Sequence, residues 1–166
     1  MSKTLLLILS HPEANAVLFR NWPYFLRAGC DMLGIGRLGG RCRWPENHQH
    51  IEIGSEMRAH WKDDWESGSR RLVDTFRHCL NSVELAQYTD FFLTDYDAII
   101  TKALPVHPGG FVSTVICGPQ PGFKASRALC HPWWMDRVTV EQFVKAGDEL
   151  MAAGEFEKGS NDYWTG

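Results

Sequence analysis

The stretch Phe91-Phe92-Leu93-Thr94-Asp95-Tyr96-Asp97 decides how this chain is read. Phe91-Phe92-Leu93 is the apolar run of a buried strand, and directly behind it stand two carboxylates two residues apart. On an extended segment, residues i and i+2 project to one side, so Asp95 and Asp97 are expected to face together. Hard oxygen ligands in that arrangement suit Mg²⁺ or Mn²⁺, which can bridge to a diphosphate. A solvated acidic turn is the structural alternative, because Asp is among the commonest turn residues.

Upstream, Thr4 to Leu9 is a continuous apolar run without alternation, as expected of a central strand covered on both faces, and it ends at the turn Ser10-His11-Pro12. Ala14 to Arg27 has helical spacing, with Pro23 starting a new turn or kinking it and Gly29 ending it. Cys30 to Ile35 reads as a second strand. Gly34-Ile35-Gly36-Arg37-Leu38-Gly39 formally matches a dinucleotide fingerprint, but the loop-like Gly40-Arg41-Cys42-Arg43-Trp44-Pro45 follows where a helix is required, so the match is rejected. Residues 41 to 68 read as one long loop or excursion with a short strand at Ile51-Glu52-Ile53. Ser69 is expected to cap a helix reaching about Ala86, striped by Leu72, Val73, Phe76, Cys79, Leu80 and Val83. Val112 to Cys117 is a further strand, and Thr139 with Gln142 forms a capping box for a last helix closed at Gly154.

This alternation implies an α/β fold, a single domain over 1–166 with a mainly parallel sheet flanked by helices and ligands at the C-terminal strand ends. Ser10-His11, Gly34-Gly36 and Asp95-Asp97 all fall at such ends. At 44% apolar the chain has ample material for a core. Seventeen basic against twenty acidic residues give a net charge of −3, so no general basic field holds it on a nucleic acid. The apolar Leu5 to Leu9 is too short for a signal core or a membrane span, and the five scattered cysteines form no Cys-x-x-Cys. A cytoplasmic protein with reduced thiols and no membrane contact is the expectation. His48-x-His50 with Cys42 upstream lacks a paired fourth ligand and is not read as a zinc site.

The order of apolar strand, Asn15 helix with Trp22-Pro23, Gly34-Ile35-Gly36, Trp44-Pro45, helix, strand with Asp95-Tyr96-Asp97, Gly109-Gly110 and then Cys130-His131-Pro132-Trp133-Trp134-Met135-Asp136 resembles small bacterial and phage glycosyltransferases of the GT-A fold. The resemblance covers most of the chain. It implies a Rossmann-like sheet and metal-dependent transfer of a sugar from a nucleoside-diphosphate sugar to a hydroxyl of a saccharide, a small molecule or a hydroxymethylated phage DNA base. On this resemblance Ser10, His11, Asn15 and Asp95 line the donor site, and Asp95, Asp97 and His131 hold Mn²⁺ or Mg²⁺. Asp136 serves as general base. Trp133 and Trp134 stack on the acceptor or a base, and Lys124 and Arg127 meet diphosphate charge.

Each assignment has a structural rival: His131 as a packed side chain, the tryptophans as core, Asp136 paired with Arg137 or leading into a helix, and Lys124 and Arg127 as solvated cations. Family members with the complete fold run on past the last helix, whereas this chain stops at Asn161-Asp162-Tyr163-Trp164-Thr165-Gly166. A minimal version, a protein acting with a partner or as a homo-oligomer, and one that has lost activity are the expectations this raises. Two further readings stand beside transfer. One is a non-catalytic nucleotide or nucleotide-sugar binding module, the other a metal-free nucleoside hydrolase or deoxyribosyltransferase-like enzyme.

Overall fold

The structure, a computed structural model, describes residues 3–39, 42–54, 65–117 and 127–154 and, within these, all side chains but those of 65–69, 114–117 and 127–131. Six strands are assigned: β1 (Thr4–Leu9), β2 (Asp31–Arg37), β3 (His50–Ile53), β4 (Asp90–Asp95), β5 (Phe111–Cys117) and β6 (Arg127–Asp136). Three helices accompany them: α1 (Asn15–Phe25), α2 (Trp65–Asn81) and α3 (Arg137–Ala152). The strands form one sheet in the order β3-β2-β1-β4-β6-β5. β3, β2, β1 and β4 are mutually parallel, while β6 runs antiparallel to both β4 and β5.

The parallel half follows the sequence closely. β1 has the predicted bounds, and its last five residues are all buried, because helices cover both faces. Leu6 and Ile8 pack under α1 with Leu18 and Phe25, and Leu5, Leu7 and Leu9 pack under the other face with Val73, Phe76, Val140 and Trp133. Pro23 lies inside α1, which tightens into a single 3₁₀ turn over Leu26–Ala28 before Gly29 ends it at φ 69°, a left-handed position that favours glycine. Gly34 and Gly36 lie within β2 and open no helix, in keeping with the rejected fingerprint. Gly34 instead seats an aromatic ring: a Cβ there would meet the Trp44 ring at 2.7 Å.

β5 matches the strand expected at Val112 to Cys117, whereas α2, the cap of α3 and β6 depart from the sequence reading. α2 begins at Trp65, so Ser69 lies inside it and not at its start, and it ends at Asn81, which leaves Val83 outside the stripe and 89% exposed. Asp136, not Thr139, caps α3: its carboxylate accepts the Thr139 backbone N–H at 2.8 Å. The segment carrying Trp133 and Trp134 lies in β6, between β4 and the edge strand β5, where Leu93 pairs with Trp133 and Phe92 with Trp134. α2 and α3 pack so closely that a Cβ on Gly147 would meet Val73 Cγ2 at 2.5 Å. Among the described residues no helix is long and apolar enough to cross a membrane.

Candidate functional site

From β1 the chain moves outward to β2 and β3, then returns through α2 to β4 on the other side of β1. Connections leaving β1 and arriving at β4 therefore diverge to opposite faces, and the C-terminal ends of β1 and β4 flank a switch point, where open α/β sheets bind ligands. Register brings the predicted segments to one level there. Leu9 pairs with Ile35 on one side and with Asp95 on the other, so Ser10-His11, Gly36-Arg37 and Asp95-Asp97 share one edge. His11 and Tyr96 meet across the switch point, ring centroids 5.0 Å apart and nearly perpendicular. Burial holds the His11 imidazole below the usual histidine range; Glu13 and Asp95 oppose the shift, and Arg71 and Arg37 reinforce it.

Asp95 is the last residue of β4, and the Ala98 N–H closes a turn on its carbonyl at 3.2 Å. Asp97 therefore sits in a turn and not on extended chain, and the expected same-side projection of an i, i+2 strand pair does not apply. Both residues border a cleft of about 490 Å³ with Thr94, Lys102 and Pro132, Asp95 half-buried and Asp97 exposed, but strand alternation turns the Asp95 side chain to the face of Phe91 and Leu93. Among the described residues no group of three His, Cys, Asp or Glu could hold a metal. Asp95 and Asp97 are therefore the two carboxylates available at this edge, without a third such ligand beside them among the described residues.

Other predicted residues fall elsewhere. Asp136 pairs with Asp90 at the start of β4, five residues from Asp95 and so roughly 16 Å from it at about 3.3 Å per residue. Its carboxylate accepts the backbone N–H groups of Thr139 and Gly110, and the Thr139 side chain first and these backbone bonds next hold it below the usual carboxylate range. It is a helix cap at the wrong edge to serve Asp95 as a base. Trp133 is 0% exposed, with its ring against Phe111 and Phe143, and offers no face to an acceptor. Trp134 is also buried and gives its indole N–H to Asp90 at 3.0 Å. Asn15 is committed to a loop, its Oδ1 accepting the Arg43 N–H at 3.0 Å. The backbone of His131 runs in β6, while its side chain, Lys124 and the side chain of Arg127 lie outside the described residues.

Two residues at this edge escape the sequence reading. Arg71, from the second turn of α2, donates through Nη2 to the carbonyls of Ser10 at 2.8 Å and Ile35 at 2.6 Å, and Arg37 closes β2 beside it. Burial, then the neighbouring Arg37, brings Arg71 down to about 10. The available signal is an arginine directly before the apolar pair Leu72-Val73, but its meaning depends on where α2 begins. No family model matches the sequence, and no curated protein matches it.

Proposed function

We propose that the protein binds a nucleoside-diphosphate sugar across the β1/β4 switch point and transfers the sugar to a hydroxyl acceptor. The observation that carries this reading is the register Ile35–Leu9–Asp95, which sets Ser10-His11, Arg37 and Asp95-Asp97 along one edge. In this reading Asp95 and Asp97 hold a Mn²⁺ or Mg²⁺ ion, which when bound neutralises charge on the departing diphosphate. Ser10 and His11 bound the nucleoside end. The His11 ring stays neutral near pH 7 and packs on Tyr96, so it orients a ligand without adding charge. The apolar wall of the cleft, with Ile99, Ile100 and Leu104, excludes water from one side of the Asp95-Asp97 turn. No base is assigned, since Asp136 lies at the opposite edge.

A thermal-shift panel of nucleoside diphosphates and their sugars, with and without Mn²⁺, tests this reading. The expected outcome is a cation-dependent rise with one donor that Asp97→Asn abolishes. A donor that stabilises equally in EDTA would favour the metal-free enzyme or the binding module instead.

A further inference from the structure

The edge that carries Asp95 also holds two cations without a counter-ion among the described residues. Side chains alternate along a strand, so Arg37 falls on the same face of β2 as Leu33 and Ile35, and Asp95 on the same face of β4 as Phe91 and Leu93. That face is the one covered by α2, from which Arg71 reaches the strand ends. The acceptors of Arg71 are two neutral carbonyls, its Nε is enclosed without a partner, and so is Nη1 of Arg37. Among the described residues neither guanidinium forms an ion pair; Asp95 attracts Arg71 across the edge without pairing with it. Ser10, 1% exposed, has a hydroxyl with no hydrogen-bond partner, and its backbone carbonyl is one of the two that Arg71 holds.

Elsewhere guanidinium and ammonium groups are more fully engaged, although Arg137 too is held by carbonyls and not by a carboxylate. Arg77 pairs with Asp74 and Asp148, Lys3 with Asp31, and Arg137 donates to three carbonyls and lies over the Phe91 ring. A buried charge without a partner is costly, and two of like sign side by side add repulsion, so the exception calls for a missing anion. Guanidinium donors match phosphate oxygens, and two positive charges are balanced by a phosphoryl dianion where a single carboxylate would balance one.

We propose that Arg37 and Arg71, beside Ser10, form a metal-independent binding site for a phosphoryl group at the C-terminal ends of β1 and β2. It lies two strands from β4, roughly 10 Å across the sheet from Asp95 at about 4.8 Å per strand. The site goes beyond sugar transfer and does not need it: a phosphoryl ligand is expected there whether or not Asp95 and Asp97 take a cation.

Calorimetric titration of the full chain with inorganic pyrophosphate in EDTA tests it. The wild type is expected to bind, and Arg37→Gln to weaken binding roughly tenfold or more, the scale of a charge-assisted contact. Lys145→Gln, which removes a positive charge from the exposed face of α3, is expected to change nothing. Arg71 also ties down the Ser10 and Ile35 carbonyls, and its replacement can disturb the fold, so Arg37→Gln is the deciding variant. A nucleoside diphosphate is titrated in parallel. Comparable affinity for both ligands supports recognition of the phosphoryl groups, whereas binding confined to the nucleotide overturns it in favour of the base. Absence of pyrophosphate binding, an unchanged constant in Arg37→Gln, or an equal loss in Lys145→Gln also overturns it. Because the cation is chelated throughout, failure of Mn²⁺-dependent donor binding leaves this result standing.

Discussion

At the start of β4, Asp90 is 2% exposed and accepts from Thr4, Thr89 and Trp134; at the end of the same strand, Asp95 faces an edge where Ser10, Arg37 and Arg71 keep polar atoms without partners. The contrast holds across the sheet. The lower edge is further closed by Tyr88 and Lys3 on Asp31, by Gly110 and Thr139 on Asp136, and by Arg137 on the carbonyls of Cys79, Leu85 and Tyr88. Polar groups enclosed and satisfied serve the fold; enclosed and unsatisfied, they mark where the fold accepts a cost, which is what binding sites require. The lower edge is therefore closed by its own side chains, while the upper edge leaves polar atoms unmatched on the same strands.

That separation is open to direct attack. Trp133→Ala, in β6, should cost about 3–5 kcal/mol in urea unfolding from lost burial and cavity formation. If its main effect fell on an acceptor instead, the ring would have to be reachable. Asp90→Ala should cost about 2–3 kcal/mol, because the buried Trp134 indole N–H would lose its acceptor and the Thr4 and Thr89 hydroxyls their shared carboxylate. Asp136→Ala should cost about 1–2 kcal/mol as a lost helix cap. Its signature is in pH. The folded carboxyl is held below its unfolded value, so its contribution is present above about pH 3.9 and is lost as pH falls through the lower folded value. The stability gap between wild type and variant should therefore narrow in acid, and a gap independent of pH would mean that the shape of the residue matters and its charge does not. Asp97→Asn, at the open edge, should move stability by less than about 0.5 kcal/mol while abolishing cation-dependent donor binding. A large stability loss there would erase the distinction between the two edges.

What the sequence disclosed divides along the same sheet. β1, α1 with Pro23, β4 and the end of α3 at Gly154 are legible because local pattern and tertiary role agree: an apolar run where both faces are covered, a helical stripe where one is. β6 is not legible. Its Cys130-His131-Pro132-Trp133-Trp134 segment has neither alternation nor strand punctuation, and it becomes a strand only by pairing with β4 and β5, contacts distant or reversed in the chain. The start of α2 is misleading in sequence because Ser69 is a good cap that the fold does not use, and with it goes Arg71, whose role exists only once α2 is set against β1 and β2. The shared edge of Ser10-His11 and Asp95 is legible from strand ends alone, whereas Arg37 joins it only because β2 runs two residues past Ile35. That Asp136 belongs to the opposite edge is not, since it follows from the reversed direction of β6.

That reversal has a practical consequence for handling the protein. β6 delivers the chain to the lower edge at Asp136, and α3, about 24 Å long over its 16 residues, carries it back alongside α2, with Asp148 meeting Arg77 and Met151 meeting Arg70. Residue 154 accordingly stands level with the start of α2, on the side of Asp95, whereas Lys3 stands at the other end. If Asp95 and Asp97 hold a cation as proposed, the described chain ends on their side of the sheet at residue 154, and a polyhistidine purification handle is better placed before Met1, next to Lys3 at the other end, where it competes less for Mn²⁺ in the assays meant to detect it.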